Sequence, residues 1–169
     1  MRLLTLVDRL LYENTAKFWA NICEAEICSW TGYSDFKLAK LTLDWKESRR
    51  SSRGGWYKAG PGINLAMTKY VYSSDELYRV YEYPSFDSDP IIGGFYSDNP
   101  HLYLAMTVCH EMAHAAQFYA HNILKKLIDK PHGDTFKTPY KALRIRLLNP
   151  ILPNQLELKN RYEKEYNGL

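Results

Sequence analysis

The first apolar pattern along the chain has a helical period. Leu3, Val7, Leu10, Leu11, Phe18 and Ile22 recur at helical spacing, which predicts an amphipathic helix over residues 2–27 with that stripe facing the core. Ser29 to Asp35 reads as the turn that ends it. The period then changes to two. Phe36-Lys37-Leu38 and Leu41-Thr42-Leu43-Asp44-Trp45 alternate like a half-buried strand, and their apolar parity slips by one in between, as a β-bulge near Ala39 produces. Arg53 to Lys58 and Gly62 to Met67 predict two further strands around the turn signal Ala59-Gly60-Pro61-Gly62. These strands predict a small, mainly antiparallel sheet.

Thr68 to Asn99 has no sustained period. It is crowded with aromatic side chains, among them Tyr70, Tyr78, Tyr81, Tyr83, Phe86, Phe95 and Tyr96, and is punctuated by Pro84, Pro90 and Gly93-Gly94. Leu77 to Tyr83 reads as a strand and the rest as loop. A loop this long is unusual in a compact domain unless it has a function. Two roles suit the tyrosines: packing over a sheet edge, or forming a lip over a cleft that contacts an extended substrate.

Helical character returns at Leu102 to His121, which has neither Gly nor Pro inside it and follows Asn99-Pro100, a cap residue before a first-turn proline. Asp134 to Leu148 predicts another helix, with Pro139 tolerable only near its start. Pro150 and Pro153 end it. Leu156 to Tyr166 predicts a last, charged helix packed by Leu156, Leu158 and Tyr162. The pattern as a whole is α+β. It suggests one domain over residues 1–169 with an aromatic-rich insertion near 68–99.

Composition supports that outline and narrows the chemistry. A chain of 169 residues that is 46% hydrophobic can bury one core. The net charge of +3 permits acidic partners without demanding nucleic acid. Three scattered cysteines, Cys23, Cys28 and Cys109, with no CxxC, fit a reducing compartment and no disulfide framework. Met1 to Val7 is apolar, but Asp8 and Arg9 interrupt it and no cleavage-type pair follows, so neither a signal peptide nor a membrane span is expected. The expected location is the cytoplasm.

The chemistry is concentrated in one helix. His110-Glu111-Met112-Ala113-His114 is H-E-x-x-H. Residues four apart share a helix face, so His110 and His114 can aim both imidazoles at one ion. Glu111 stands beside that ion without ligating it, placed to take a proton from the attacking water. The surrounding Val108, Cys109, Met112, Ala113 and Ala116 are apolar, so the histidines sit on a mostly buried helix, where polar groups need partners. The metzincin pattern requires Gly and His where this chain has Gln117 and Ala120, so that subclass is excluded.

Downstream stands His132-Gly133-Asp134-Thr135-Phe136, directly after Pro131. H-E-x-x-H followed some distance later by H-G-x-x-F resembles the SprT-like metalloproteases, the group that includes the Spartan DNA–protein crosslink proteases. The resemblance implies a zincin-like core with one Zn2+ held by His110, His114 and His132, and Glu111 as the general base. It covers residues 1 to about 150, less the central insertion. Many members carry a C-terminal zinc ribbon of paired CxxC motifs, which this chain lacks; the resemblance therefore supports a protease core more than a link to nucleic acid.

Physical reasoning ranks the third ligands in the same order. His121 shares a face with His114 but lies roughly 10 Å further along the axis, too far for Zn–N bonds of about 2 Å. Asp134 is chemically suitable, but as the first residue of a helix it has a capping role. His132 has no competing duty, and Gly133 lets the backbone turn its ring back toward the first helix. His121, Tyr140 and Arg144 are candidate donors for a tetrahedral oxyanion.

Lys46, Arg49, Arg50, Arg53 and Lys58, interleaved with Trp45, Trp56 and Tyr57, form a candidate single-stranded DNA contact, since cations neutralise phosphates and aromatics stack on unpaired bases. A solvated hairpin explains the same residues. The expected function is zinc-dependent endopeptidase activity on protein or peptide substrates, with DNA-associated proteins as one substrate class. The alternative is a catalytically silent, zinc-stabilised structural or interaction module. An open three-histidine site and the presence of Glu111 favour the enzyme.

Overall fold

Two long helices run side by side through the molecule, α1 (Leu6–Trp30) and α3 (Pro100–Asn122). They belong to a computed structural model that describes residues 5–30, 32–46, 51–71, 77–166 and 168. Thr15 bonds His101, and further along both helices Cys23 Sγ lies 3.7 Å from Cys109 Sγ, so the two are parallel. The face that α1 buries is Tyr12, Ala16, Trp19, Ala20, Cys23 and Ile27. The predicted stripe points elsewhere. Val7, Leu10, Leu11 and Phe18 are exposed, Phe18 at 59%; only Ile22 packs against the core, and Leu3 lies outside the described residues. Shape decides this: Ala16, Ala20 and Cys23 let α1 approach the Ala- and Cys-rich α3 closely, which a Leu/Phe stripe would prevent.

The main sheet has the order β1-β3-β2, with β1 at Lys40–Asp44, β2 at Arg53–Tyr57 and β3 at Gly60–Ala66. It is mixed rather than mainly antiparallel. β2 and β3 form the predicted hairpin, but β1 pairs parallel to β3, in the register Lys40 with Gly62 through Asp44 with Ala66. The central strand is the most buried, with Ile63 and Leu65 fully covered. Phe36–Leu38 does not join the ladder, so there is no bulged long strand. The N–H of Leu38 is taken by Glu24 on α1 at 2.7 Å, and Phe36 packs edge-on against Tyr119. β2 is left at the edge, lying along α3.

The aromatic segment is more structured than its sequence suggests. It contains a short helix α2 (Thr68–Val71), strand β4 (Tyr78–Val80), a 3-10 turn at Pro84–Phe86 and strand β5 (Phe95–Ser97), which pairs antiparallel with β4. α4 (Asp134–Leu143) packs on α3 with Pro139 inside it. The single helix expected to reach Leu148 changes winding at Arg144 into a π-helical turn, then a 3-10 turn at Asn149–Ile151. α5 (Gln155–Tyr166) is anchored by Leu158, by Tyr162 against Tyr96, and by Gln155 bonded to Tyr96. Leu156 is exposed and contributes no packing. Among the described residues no helix is long and apolar enough to cross a membrane.

Candidate metal centre

α3 starts as its sequence predicts: the Asn99 side chain accepts from the N–H of His101 at 2.9 Å, and Pro100 occupies the first turn. From that start the helix carries His110 and His114 on one face. The loop before α4 brings His132 to the same point. Its Nε2 lies 3.1 Å from Nε2 of His114 and 3.2 Å from Nε2 of His110. Ligands around a tetrahedral zinc with bonds of about 2.0–2.1 Å stand roughly 3.3 Å apart, so the spacing suits one ion. Burial, together with the neighbouring imidazoles, holds His114 down at about 3, and burial with His110 lowers His132. Both rings are therefore neutral at pH 7 and present lone pairs, the state a metal ligand requires.

Two side chains that were not singled out in the sequence hold this geometry. Gln117 is buried one turn after His114. Its Nε2 donates to Lys130 O at 3.0 Å and to Thr135 Oγ1 at 2.8 Å, while its Oε1 lies 3.4 Å from His114 Nδ1. It thus ties the loop carrying His132 to the helix carrying His114. Asp129 closes the loop from the other side, accepting from the Thr135 hydroxyl at 2.6 Å and from the Asp134 N–H at 2.7 Å. The capping duty expected of Asp134 therefore belongs to Asp129, with Gly133 at the N-cap position. A Cβ on Gly133 would meet the Asp129 carboxylate and push it off its bonds from Thr135 and Asp134.

Glu111 points to the sheet side of the centre. The Gly54 N–H on the free edge of β2 donates to its Oε2 at 2.5 Å. Burial raises the Glu111 carboxyl above the ordinary range, opposed by His110, the Gly54 N–H and the Lys69 ammonium. A cleft of about 620 Å³ opens over the three histidines and Glu111. Ser51 to Gly54 form one part of its lining, and Phe118, Ile128 and Pro131 supply apolar surface. Tyr83 lines it too, stacked on the His132 ring with centroids 4.2 Å apart. A smaller cavity of about 150 Å³ adjoins Glu111 and His110 and is lined by Lys69, Glu82 and Tyr103.

Glu82 is the third unanticipated residue. Its side chain is only 5% exposed, and Oε1 approaches His110 Nδ1 to 3.1 Å. That approach is within ion-pair distance but short of hydrogen-bond geometry, and among the described residues no other group partners this buried nitrogen. Tyr140 donates its hydroxyl to Oε2, and the N–H of Tyr83 donates to Oε1 at 2.9 Å. Burial opposes the charge on Glu82, yet His110, Tyr140 and the Tyr83 N–H together hold its carboxyl below the ordinary range. The sequence held a signal for it: Glu82 has the parity of Val80 in the strand pattern, and Val80 is buried. A carboxylate on a buried face needs a partner.

The remaining predicted residues divide. His121 is exposed and bonds Lys126 O through Nδ1 at 3.0 Å, outside the histidine cluster. Tyr140 and Arg144 are buried in the network behind Glu82 and do not line the cleft. His101 stacks on Tyr12 and bonds Thr15, a packing role. In the basic cluster, Lys46, Arg53 and Lys58 are exposed, whereas Arg49 and Arg50 lie outside the described residues. Trp45 is committed inward: its Nε1 donates to Glu13 at 2.9 Å, and Arg9 covers its ring. Trp56 keeps an exposed face.

Compared with known proteins, the chain matches no family model, no curated protein and no solved structure. Function has to be read from the site itself.

Proposed function

We propose that this chain is a zinc-dependent endopeptidase of the SprT-like type, with one Zn2+ held by His110, His114 and His132 and with Glu111 as general base. The observation that carries the reading is the convergence of three imidazole Nε2 atoms, with a carboxylate beside them, in the floor of an open cleft. Structural zinc sites normally close with four protein ligands; a three-histidine set leaves a position for water and substrate. The ion, once bound, supplies Lewis-acid polarisation of the scissile carbonyl and makes its water acidic enough to react near neutral pH.

The side chains do the rest. Glu111 takes a proton from the attacking water and delivers it to the leaving amine. Its raised carboxyl brings it nearer to the working pH of such a base, and the Gly54 N–H aims it. An extended peptide fits between the edge of β2 and the apolar wall of Phe118, Ile128 and Pro131, with Tyr83 as a lip. Tyr83 and Arg53 line this cleft and carry donors suited to a tetrahedral oxyanion.

The test is metal analysis of the purified chain together with casein and self-cleavage assays, with and without single-stranded DNA. One equivalent of zinc and chelator-sensitive cleavage is the expected result. Zinc without cleavage would make the chain a zinc-stabilised structural module. Stimulation by single strands would extend the substrates to DNA-associated proteins and bring the Lys46, Arg49, Arg50, Arg53 and Lys58 cluster into the mechanism.

A further inference from the structure

We infer that Glu82 is a positioning residue for the metal centre: its carboxylate sets the tautomer and ring orientation of His110, and Tyr140 and Arg144 hold that carboxylate in place. The inference rests on the three-histidine reading of the site but not on peptidase activity. The two ring nitrogens of His110 face different groups. Nε2 lies 3.2 Å from Nε2 of His132, at the point where the ligands converge, and Nδ1 lies 3.1 Å from Glu82 Oε1. A carboxylate at Nδ1 keeps the ring proton there, so the lone pair stays on Nε2, where an ion needs it.

Glu82 is not itself a ligand. Its oxygens are directed at His110 Nδ1, the Tyr83 N–H and the Tyr140 hydroxyl, and it lies outside the group whose donor atoms converge. Behind it the chain of contacts continues. Arg144 Nη1 donates to the Tyr140 hydroxyl at 3.2 Å, Nη2 to Gly93 O at 3.0 Å and Nε to Asn149 Oδ1 at 2.9 Å. A guanidinium that is 2% exposed, anchored by a backbone carbonyl and an amide, thus backs a phenol that backs a carboxylate that faces a ligand. A buried carboxylate serving only as counter-ion to Arg144 would contact the guanidinium directly. Here Tyr140 stands between them, and the direct contact is with His110.

The next residue acts on a second ligand. Tyr83 stacks on His132, and Phe86 meets the same ring edge-on at 5.7 Å. One turn of the aromatic segment therefore grips two of the three histidines, Glu82 from behind and Tyr83 from the cleft. The segment that reads in sequence as an insertion is part of the scaffold of the metal site.

The experiment measures zinc affinity of the metal-free full chain by chelator competition, for wild type, Glu82→Gln and Tyr140→Phe. 15N NMR reads the tautomer of His110 in the metal-free state, and thermal unfolding of that state runs in parallel. Loss of such an outer partner typically weakens metal binding about 10–100-fold, so Glu82→Gln is expected in that range, with Tyr140→Phe weakened less. His110 should carry its proton on Nδ1 in wild type and lose that preference in Glu82→Gln. Glu82→Gln binding zinc within about twofold of wild type would overturn the inference, as would a lowered metal-free stability with unchanged affinity. If Glu82→Gln does not fold, unchanged affinity in Tyr140→Phe overturns it instead. Wild type that binds zinc and cleaves nothing removes the peptidase reading alone; wild type without zinc affinity removes both.

Discussion

The backbone N–H of Gly54 donates to Oε2 of Glu111 at 2.5 Å, joining the edge strand of the sheet to the carboxylate between the two helix histidines. This contact makes β2 part of the geometry of the candidate site. It also separates the proposed roles of base and ligand, because Glu111 turns toward the sheet while His110 and His114 turn toward His132.

Glu111→Gln should therefore keep its zinc and lose peptidase activity by at least about a hundredfold, the scale expected when a general base is removed. The Gln carbonyl can still accept from Gly54, so the fold should be unchanged. Metal content and turnover measured on the same sample check this. Undiminished cleavage would rule out Glu111 as the base.

Gly54 should tolerate no side chain. A Cβ there would stand 2.0 Å from the Glu111 carbonyl oxygen and 2.8 Å from His114 Cβ. Neither neighbour can yield without moving α3, so Gly54→Ala must lift β2 off the helix. The expected cost is about 1–3 kcal/mol of stability, with a fall in turnover larger than the fall in zinc affinity. Denaturant unfolding and kinetics separate the two; a variant as stable and active as wild type would mean that this close approach is not maintained in solution.

Removing the proposed third ligand should be as damaging as removing the proposed second. His132→Ala is expected to lower zinc occupancy as far as His114→Ala does. His121→Ala should leave it unchanged, since that ring bonds Lys126 O outside the cluster. Asp134→Asn should also bind zinc normally. Full occupancy in the His132 variant would require another third ligand.

Acid stability should depend on Asp129. Its bond from the Thr135 hydroxyl, followed by N–H groups including that of Asp134, brings its carboxyl from an ordinary 3.8 to about 2. A carboxyl depressed in the folded state stabilises above the unfolded value, and that contribution is lost as pH falls from near 3.8 through about 2. Asp129→Asn should lower the thermal midpoint of the metal-free protein at neutral pH and flatten its decline between those two values. Parallel wild-type and variant curves across that window would show that the loop does not depend on this charge.

Local rules read correctly wherever the responsible interactions are local. Asn99-Pro100 starts α3, and four-residue spacing puts His110 and His114 on one face; the hairpin of β2 and β3 also forms, although it turns at Lys58-Ala59 and the expected turn residues Gly60-Pro61-Gly62 pair within β3. The break at Pro131 before His132 is local as well, but Gly133 has an ordinary extended backbone (φ −80°) and makes room for the Asp129 carboxylate rather than a sharp turn. Interactions between distant segments were not legible. The buried face of α1 depended on how closely α3 could pack, so small residues displaced the more hydrophobic stripe. β1 pairs parallel with β3 on the side that β2 leaves open, and the N–H of Leu38 found Glu24 instead of a neighbouring strand. Gln117 and Gly54 look ordinary in sequence, and the parity of Glu82 says only that it needs a partner, because their roles lie in partners 18, 57 and 28 positions away: Thr135, Glu111 and His110. The sequence alone singled out His110, His114 and His132 as one candidate group; only the tertiary structure decided what holds them together, because a buried polar group must find its partner wherever in the chain the fold supplies one.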